Sequence, residues 1–292
     1  MKSIKQILRR PRKHWVGDGF NVFPVFADKA FTAELSPFIM FDYAAPKHFP
    51  GHEGKPKGVG QHPHRGFETV TIAFQGEVEH GDNQGNKGVI GEGDVQWMTA
   101  ARGIVHQEFH SKEFSRAGGT FEMCQLWVNL PKKHKMDPPR YQPILKDQIA
   151  VAPLVVEGGG AAAEGAGNVR VIAGEFSGVK GPAKTFTQVD MWDITIDDVG
   201  SDYTFDTVEG NNVIVFVRSG SISVQGKTMG GQDVAIMERS GTKLVISAAE
   251  PSKVLVLAGE PIDEPIAARG PFVMNTMDEI IQANEDYHSG RF

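Results

Sequence analysis

Apolar and polar positions alternate over short stretches of this chain, and glycine-rich turns separate the stretches. Residues 67–74 (FETVTIAF) carry Thr, Val, Ile and Phe and stop at Gly76. Glu77–His80 alternates, 81–86 (GDNQGN) is a turn cluster, and Lys87–Ile90 and Asp94–Met98 read as two further short strands. Side chains at i and i+2 share one face of a strand, so this period marks sheet. Short strands at such spacing read as a sandwich or a barrel.

The second half has the same character. Val169–Ile172, Phe186–Ile196, Tyr203–Phe205, Asn212–Val217, Ser221–Val224, Asp233–Ile236, Lys243–Ile246 and Val254–Leu257 are predicted strands, punctuated by Gly220, Gly226, Gly230, Gly231 and Gly241. Two passages correspond across the halves. FQGEV from Phe74 matches VRSGSI from Val217, and GEGDV from Gly91 matches GGQDV from Gly230. Two copies of one antiparallel barrel are therefore predicted. Between them, 131–139 is polar and proline-rich and suits a linker, and 157–167 reads as an exposed loop. The predicted domains are 1–134 and 135–292, the second holding the Gly/Ala-rich loop 158–167 and the tail. In the tail, 278–287 has helical spacing, with Thr276 or Asn275 as the cap and acids in the first turn. At the other end, Lys2–Lys13 is basic, but Ile4, Ile7 and Leu8 suit a tethered edge element.

Composition narrows the function classes. The 292 residues suit about two domains, and 40% hydrophobic with 23% charged residues is a globular composition. A net charge of -6 argues against nonspecific nucleic-acid binding. Cys124 is the one cysteine, so no intrachain disulfide can form. It lies in the apolar run 121–128 and reads as a buried, inert thiol. No apolar run reaches the ~18 residues of a membrane span, and the start lacks the apolar stretch of a secretory signal. A cytoplasmic monomer is expected.

The chemistry is in the histidines. His62-Pro-His64 precedes a strand, and in extended chain both rings can face one point. His106-Gln-Glu108 repeats that geometry after Gly103. Three imidazoles and a carboxylate suit iron(II) and related first-row ions and leave positions open for water and substrate. Zinc is admissible, although a structural zinc site closes at four protein ligands. A lone His-x-His is better read as ordinary core or surface histidine; two such pairs favour a metal. No histidine lies between His134 and His288, so the first half owns the site. His110 reads as a supporting or surface residue and His80, beside Gly81, as exposed. Glu68 reads as a supporting acid or a strand-end ion-pair partner. Arg65 and Arg102 are candidates to pair with it or to meet an anionic ligand.

Residues 60–71 (GQHPHRGFETVT) and 93–108 (GDVQWMTAARGIVHQE) resemble the signature of the pirin family within the cupin superfamily, as does the tail over 264–276 and 280–292. The likeness spans nearly the whole chain. It departs at Ala101, where the usual second cupin motif has proline two residues before its glycine, and in 158–167. The resemblance implies an all-β bicupin, two stacked antiparallel jelly-roll β-barrels with a short C-terminal helix. It implies one divalent metal in the N-terminal barrel on His62, His64, His106 and Glu108, iron(II) first, with Mn, Ni, Cu, Co or Zn admissible. Some relatives look like quercetin 2,3-dioxygenases. That activity implies a small planar aromatic substrate and O2, with Glu108 taking the flavonol 3-hydroxyl proton, carbon monoxide leaving, a depside forming, and Phe-rich pocket walls. The alternative is a non-catalytic metal-containing regulator that binds a transcription factor or metabolic enzyme. A third class is an isomerase or other cupin chemistry on a small metabolite. A substrate-sized cavity beside an open metal position favours an enzyme.

Overall fold

The computed structural model describes residues 1–26, 29–158 and 160–292. The chain forms two compact units that interleave along the sequence. One comprises 11–32, 37–146 and 262–292, and the other 1–10, 33–36 and 147–261. All ten histidines fall in the former, here called the histidine unit. The sequence reading places a single cut at 134/135, whereas the tail from Ile262 groups with the histidine unit and the first ten residues with the other.

The larger sheet of the histidine unit has seven antiparallel strands. Their order is Arg140–Ile144, Val95–Thr99, Phe67–Gln75, Gly118–Asn129, Phe38–Pro50, Phe20–Pro24 and His14–Val16. The smaller sheet runs Gly58–His64, Ile104–His110, Val78–Asp82, Lys87–Ile90. Alternation sets the inward faces: in Ile104–His110, residues 104, 106, 108 and 110 are buried and those between are half-buried. Phe20, Val22, Ala44, Ala73 and Met123 of the larger sheet share one core with Val78 and Ile90 of the smaller. A hairpin, Ala267–Arg269 with Phe272–Met274, and the helix Met277–His288 complete the unit. The helix starts in a capping box: Thr276 Oγ1 accepts from Glu279 N at 3.2 Å, and the Glu279 carboxylate accepts from Thr276 N at 3.0 Å.

The other unit repeats this plan. Its seven strands run Ile4–Leu8, Val234–Met237, Asn212–Ser219, Ser252–Gly259, Val189–Ile196, Gly167–Ala173, Ala150–Pro153, and its four run Asp202–Asp206, Lys243–Ala248, Ser221–Val224, Lys227–Gly230. The basic start is the predicted edge element, paired to Val234–Met237. The duplicated motif is one turn built twice. Asp94 accepts from Gly91 N and Asp233 from Gly230 N, both at 2.9 Å. Gly93 N bonds Ala73 O and Gln232 N bonds Val217 O, both at 2.7 Å. In the strand pair corresponding to the histidine-bearing one, Tyr203, Phe205, Leu244 and Ile246 fill the core.

The predicted barrels are not present. Among the described residues, every sheet keeps two edge strands that pair on one side only, so no sheet closes. Each unit is built from open antiparallel sheets that bury their apolar faces in a shared core. Closure requires a continuous hydrogen-bond ladder at fixed stagger, and alternation reads the same in a sandwich and a barrel. The polar segment 131–139 is also not a free linker. Lys135 is buried, and its ammonium donates to Gly66 O at 2.7 Å, Asn129 Oδ1 at 2.6 Å and Val273 O at 3.0 Å. In 158–167, Gly159 lies outside the described residues; most of the remainder is exposed, but Ala166 joins the core. Cys124 is buried, as expected. No described helix is long and apolar enough to cross a membrane.

Candidate metal centre

Two adjacent strands of the smaller sheet bring the predicted histidines together. His106 pairs with His62 and Ile104 with His64. Between His106 and Glu108 the register slips, so that Glu108 faces Val59 and one extra residue lies on the Gly58–His64 strand. A bulge re-aims side chains, and here it falls at the site. The ligand atoms of His62, His64 and His106 all lie within 4.8 Å of one another. Two nitrogens bound to one ion at about 2.1 Å can be at most about 4.2 Å apart, so the group as it stands is slightly wider than an ion would hold it. Among the described residues this is the one group of three or more His, Cys, Asp or Glu placed to hold a metal.

The protonation of the rings suits a cation. Burial first, then His62, pushes His64 down to about 3. Burial first, then His64, His62 and His80, holds His106 well below the ordinary imidazole range. His62 Nδ1 lies 2.8 Å from the Gly60 carbonyl, which can only accept, so Nδ1 carries a hydrogen and Nε2 is the nitrogen left for an ion. His64 Nδ1 and His106 Nε2 are buried with no hydrogen-bond partner. Orphaned buried polar atoms are costly, and two of them in one histidine cluster fit a bound ion. Three imidazoles are a donor set for first-row divalent metals.

Glu108 is buried nearby but is not in the 4.8 Å group. Its carboxylate accepts from Gln125 Nε2 at 2.9 and 3.2 Å and from Thr71 Oγ1 at 3.3 Å. It lines a cavity of about 280 Å³ together with His62, His64 and the apolar side chains of Phe20, Met40 and Trp127. The wall is not Phe-rich; Phe20 is its one phenylalanine, and Val and Met supply most of its apolar side chains. Trp127 stacks on Phe67 at 4.2 Å and meets His64 edge-on at 5.3 Å. Asp42 also lines the cavity, and burial pushes its carboxyl up to about 6 against the opposing pull of His14. A groove of about 450 Å³ in the other unit, beside Glu175, Asp190 and Asp206, has no histidine in its lining. The chemistry therefore favours the smaller cavity.

Several supporting residues differ from the sequence reading. His80 is buried, not exposed, and lies between His106 and Asp82. Its signal was the alternation Val78-Glu79-His80, which places His80 on the inward face with Val78. His110 is buried and bonds Gly19 O at 3.1 Å. Arg65 pairs with Asp286 at 2.7 Å, not with Glu68, whose arginine is Arg140 at 3.8 Å. Arg102 gives its carbonyl to the Arg65 guanidinium. Ala101 has φ 43, a conformation closed to proline, which explains the departure from the proline motif.

Comparison with known proteins gives the same picture. Residues 19–128 match the Pirin family and 191–292 the Pirin C-terminal cupin domain. A Pseudomonas aeruginosa protein provisionally named a quercetin 2,3-dioxygenase is 46% identical over 292 residues, covering 100% of this chain and 99% of that one. A pirin-like protein of Solanum lycopersicum is 35% identical, covering 99% and 91%. The crystal structure of a quercetin 2,3-dioxygenase from Acinetobacter baumannii superposes with a TM-score of 0.94 at 45% identity, covering 100% of this chain and 98% of that one. A paired-histidine centre in one of two like-built units, with both family segments matched along the chain, places this protein in the pirin family of the cupin superfamily.

Proposed function

We propose that this protein is a metal-dependent dioxygenase that opens the heterocyclic ring of a flavonol such as quercetin, consuming O2 and releasing carbon monoxide. The observation that carries the reading is the convergence of three imidazoles beside an apolar cavity that a carboxylate also lines. The similarity to the Pseudomonas and Acinetobacter proteins supports the substrate class.

His62, His64 and His106 would hold one divalent ion, iron(II) first, with Glu108 as the fourth ligand. Bound there, such an ion supplies Lewis acidity toward a substrate hydroxyl and a route for electrons to O2. The chain's own residues do the rest. Gln125 touches both oxygens of Glu108 and Thr71 touches Oε1, which leaves Oε2 with a single donor. Oε2 is therefore the oxygen freer to face the ion or to take the proton of the flavonol 3-hydroxyl. Phe20, Trp127 and Met40 give the guest an apolar seat and exclude water. Asp42 offers a second carboxyl within the cavity for a phenolic hydroxyl.

The test is anaerobic loading of apo-protein with Fe(II), Mn(II), Co(II), Ni(II), Cu(II) or Zn(II) one at a time, then quercetin and O2. Metal-dependent loss of flavonol absorbance with equimolar carbon monoxide is the expected result. Inertness of every fully loaded form would overturn the reading in favour of a regulatory protein.

A further inference from the structure

Beside His106, among residues that do not line the cavity, lies a chain of buried polar groups that the proposed chemistry does not use. His106 Nδ1 is 3.4 Å from His80 Nδ1. His80 Nδ1 is also 3.2 Å from Gln96 Nε2, and His80 Nε2 is 3.2 Å from Asp82 Oδ2. The side chains of His80 and Asp82 are fully buried. The His80 ring is held flat against Tyr141, centroids 5.0 Å apart and planes 21° apart.

The donors and acceptors can be assigned from the far end. Asp82 Oδ1 accepts from Gln84 N at 3.0 Å and Asn86 N at 2.9 Å, and Oδ2 accepts from Asn86 Nδ2 at 2.8 Å. All three partners can only donate, so both Asp82 oxygens act as acceptors. His80 Nε2 must then carry a hydrogen and donate it. With the Gln96 amide oriented so that Nε2 donates and Oε1 has no partner, His80 Nδ1 is the lone-pair nitrogen of that ring. The other neighbour of that lone pair is His106 Nδ1 at 3.4 Å, and two lone pairs facing each other there would repel, so the hydrogen is assigned to His106 Nδ1. His106 Nε2 is left without one, and it is one of the two orphaned ring nitrogens of the cluster.

We propose that Asp82, His80 and Gln96 are positioning residues that lock His106 in its Nδ1–H tautomer, so that the Nε2 lone pair is presented to the metal before any metal arrives. A ligand histidine whose other nitrogen donates to a fixed acceptor is held in orientation and made more basic, and loss of such support typically costs about 10–100-fold in metal affinity. His62 reaches the same tautomer through the Gly60 carbonyl, within its own strand. His106 reaches it through a side-chain relay from the neighbouring strand Val78–Asp82. The inference rests on the reading of the three histidines as a metal site.

The first experiment needs no metal. Long-range 1H–15N NMR of histidine-labelled apo-protein shows which ring nitrogen of His106 is protonated. The Nδ1–H form is expected, and an Nε2–H form in the wild type would overturn the proposal. The second is Co(II) titration of apo-protein, followed by its visible absorption, for wild type, His80→Phe, Asp82→Asn and Tyr141→Phe. His80→Phe keeps a ring on Tyr141 and removes the acceptor. Asp82→Asn keeps the shape and lets an amide donate toward His80, which reverses the relay. Both should weaken Co(II) binding by about 10–100-fold, with apo-protein melting within a few degrees of wild type, and Asp82→Asn should add Nε2–H signal at His106. Tyr141→Phe, which keeps the stack, should bind as wild type does. Affinities within threefold of wild type for both relay variants would overturn the proposal. A wild type that binds no Co(II) would instead overturn the metal reading, while the tautomer result stands by itself.

Discussion

Glu68→Gln should stabilise the protein, and by an amount that depends on pH. Glu68 lies on Phe67–Gln75, opposite Thr99 in register, and is 1% exposed. Burial pushes its carboxyl from the ordinary 4.5 up to about 7, against the Thr99 hydroxyl bond at 2.6 Å and the more distant Arg140. Below pH 4.5 the group is protonated in both the folded and the unfolded chain and costs nothing. Between 4.5 and about 7 the unfolded chain gives up the proton while the folded one keeps it, so stability falls as pH rises. Above about 7 the loss is complete, at about 3 kcal/mol from the size of the displacement. Glutamine removes the titration and can still accept from Thr99. It gives up the attraction of a partly exposed Arg140, worth under about 1 kcal/mol. The variant should therefore match wild type near pH 4.5 and exceed it by about 2–3 kcal/mol at pH 8. Urea unfolding of metal-free protein at half-unit steps from pH 4.5 to 8.5 measures the difference. A variant less stable than wild type at pH 8, or a difference that does not change with pH, would refute the reasoning.

Three further outcomes follow from other parts of the structure. Asp193 bonds Arg170 at 2.9 Å and Arg218 at 2.8 Å, with Arg218 only 5% exposed, so Asp193→Ala should cost about 3–5 kcal/mol in chemical denaturation; a loss below 1 kcal/mol would show that the arginines re-pair freely. Gly66 has φ +93, and a Cβ there would meet Val273 O at 1.8 Å, so Gly66→Ala should displace the neighbouring His64 and bring metal stoichiometry well below that of wild type; normal loading would contradict the close packing. Cys124 is 0% exposed, so its reaction with a thiol reagent should proceed at the rate of unfolding and speed up with urea; fast labelling in native buffer would place it in an accessible channel.

The parts of the site that could be read in the sequence are those set by neighbours in the chain. His62 with His64, and His106 with Glu108, share faces because a strand has a period of two, and the Gly-x-x-Asp turns at 91–94 and 230–233 are local hydrogen-bond patterns. The helix near 278–287 was legible through its cap for the same reason. What escaped depends on which strands become neighbours. His80 borders a glycine turn, yet its strand is an inner one, covered by Ile104–His110 and Lys87–Ile90. Arg65 finds Asp286 across 221 residues, and no local pattern announces that pairing. The open sheets escaped because an inward-facing valine satisfies the same alternation whether or not its sheet closes.

The return of the tail to the histidine unit has a consequence for how the protein is made. The strands that bear the histidines are complete by residue 110, but Arg65, next to His64, is held by Asp286, and its guanidinium lies 4.3 Å from the Phe292 ring. At roughly 5–20 residues per second, synthesis of residues 111–286 takes on the order of 10–35 s. Throughout that interval the nascent histidine strands are without the contacts that the tail makes to Arg65. The support that Asp286 and Phe292 give Arg65 is added only once those residues have been made, so the surroundings of His64 are finished long after its own strand.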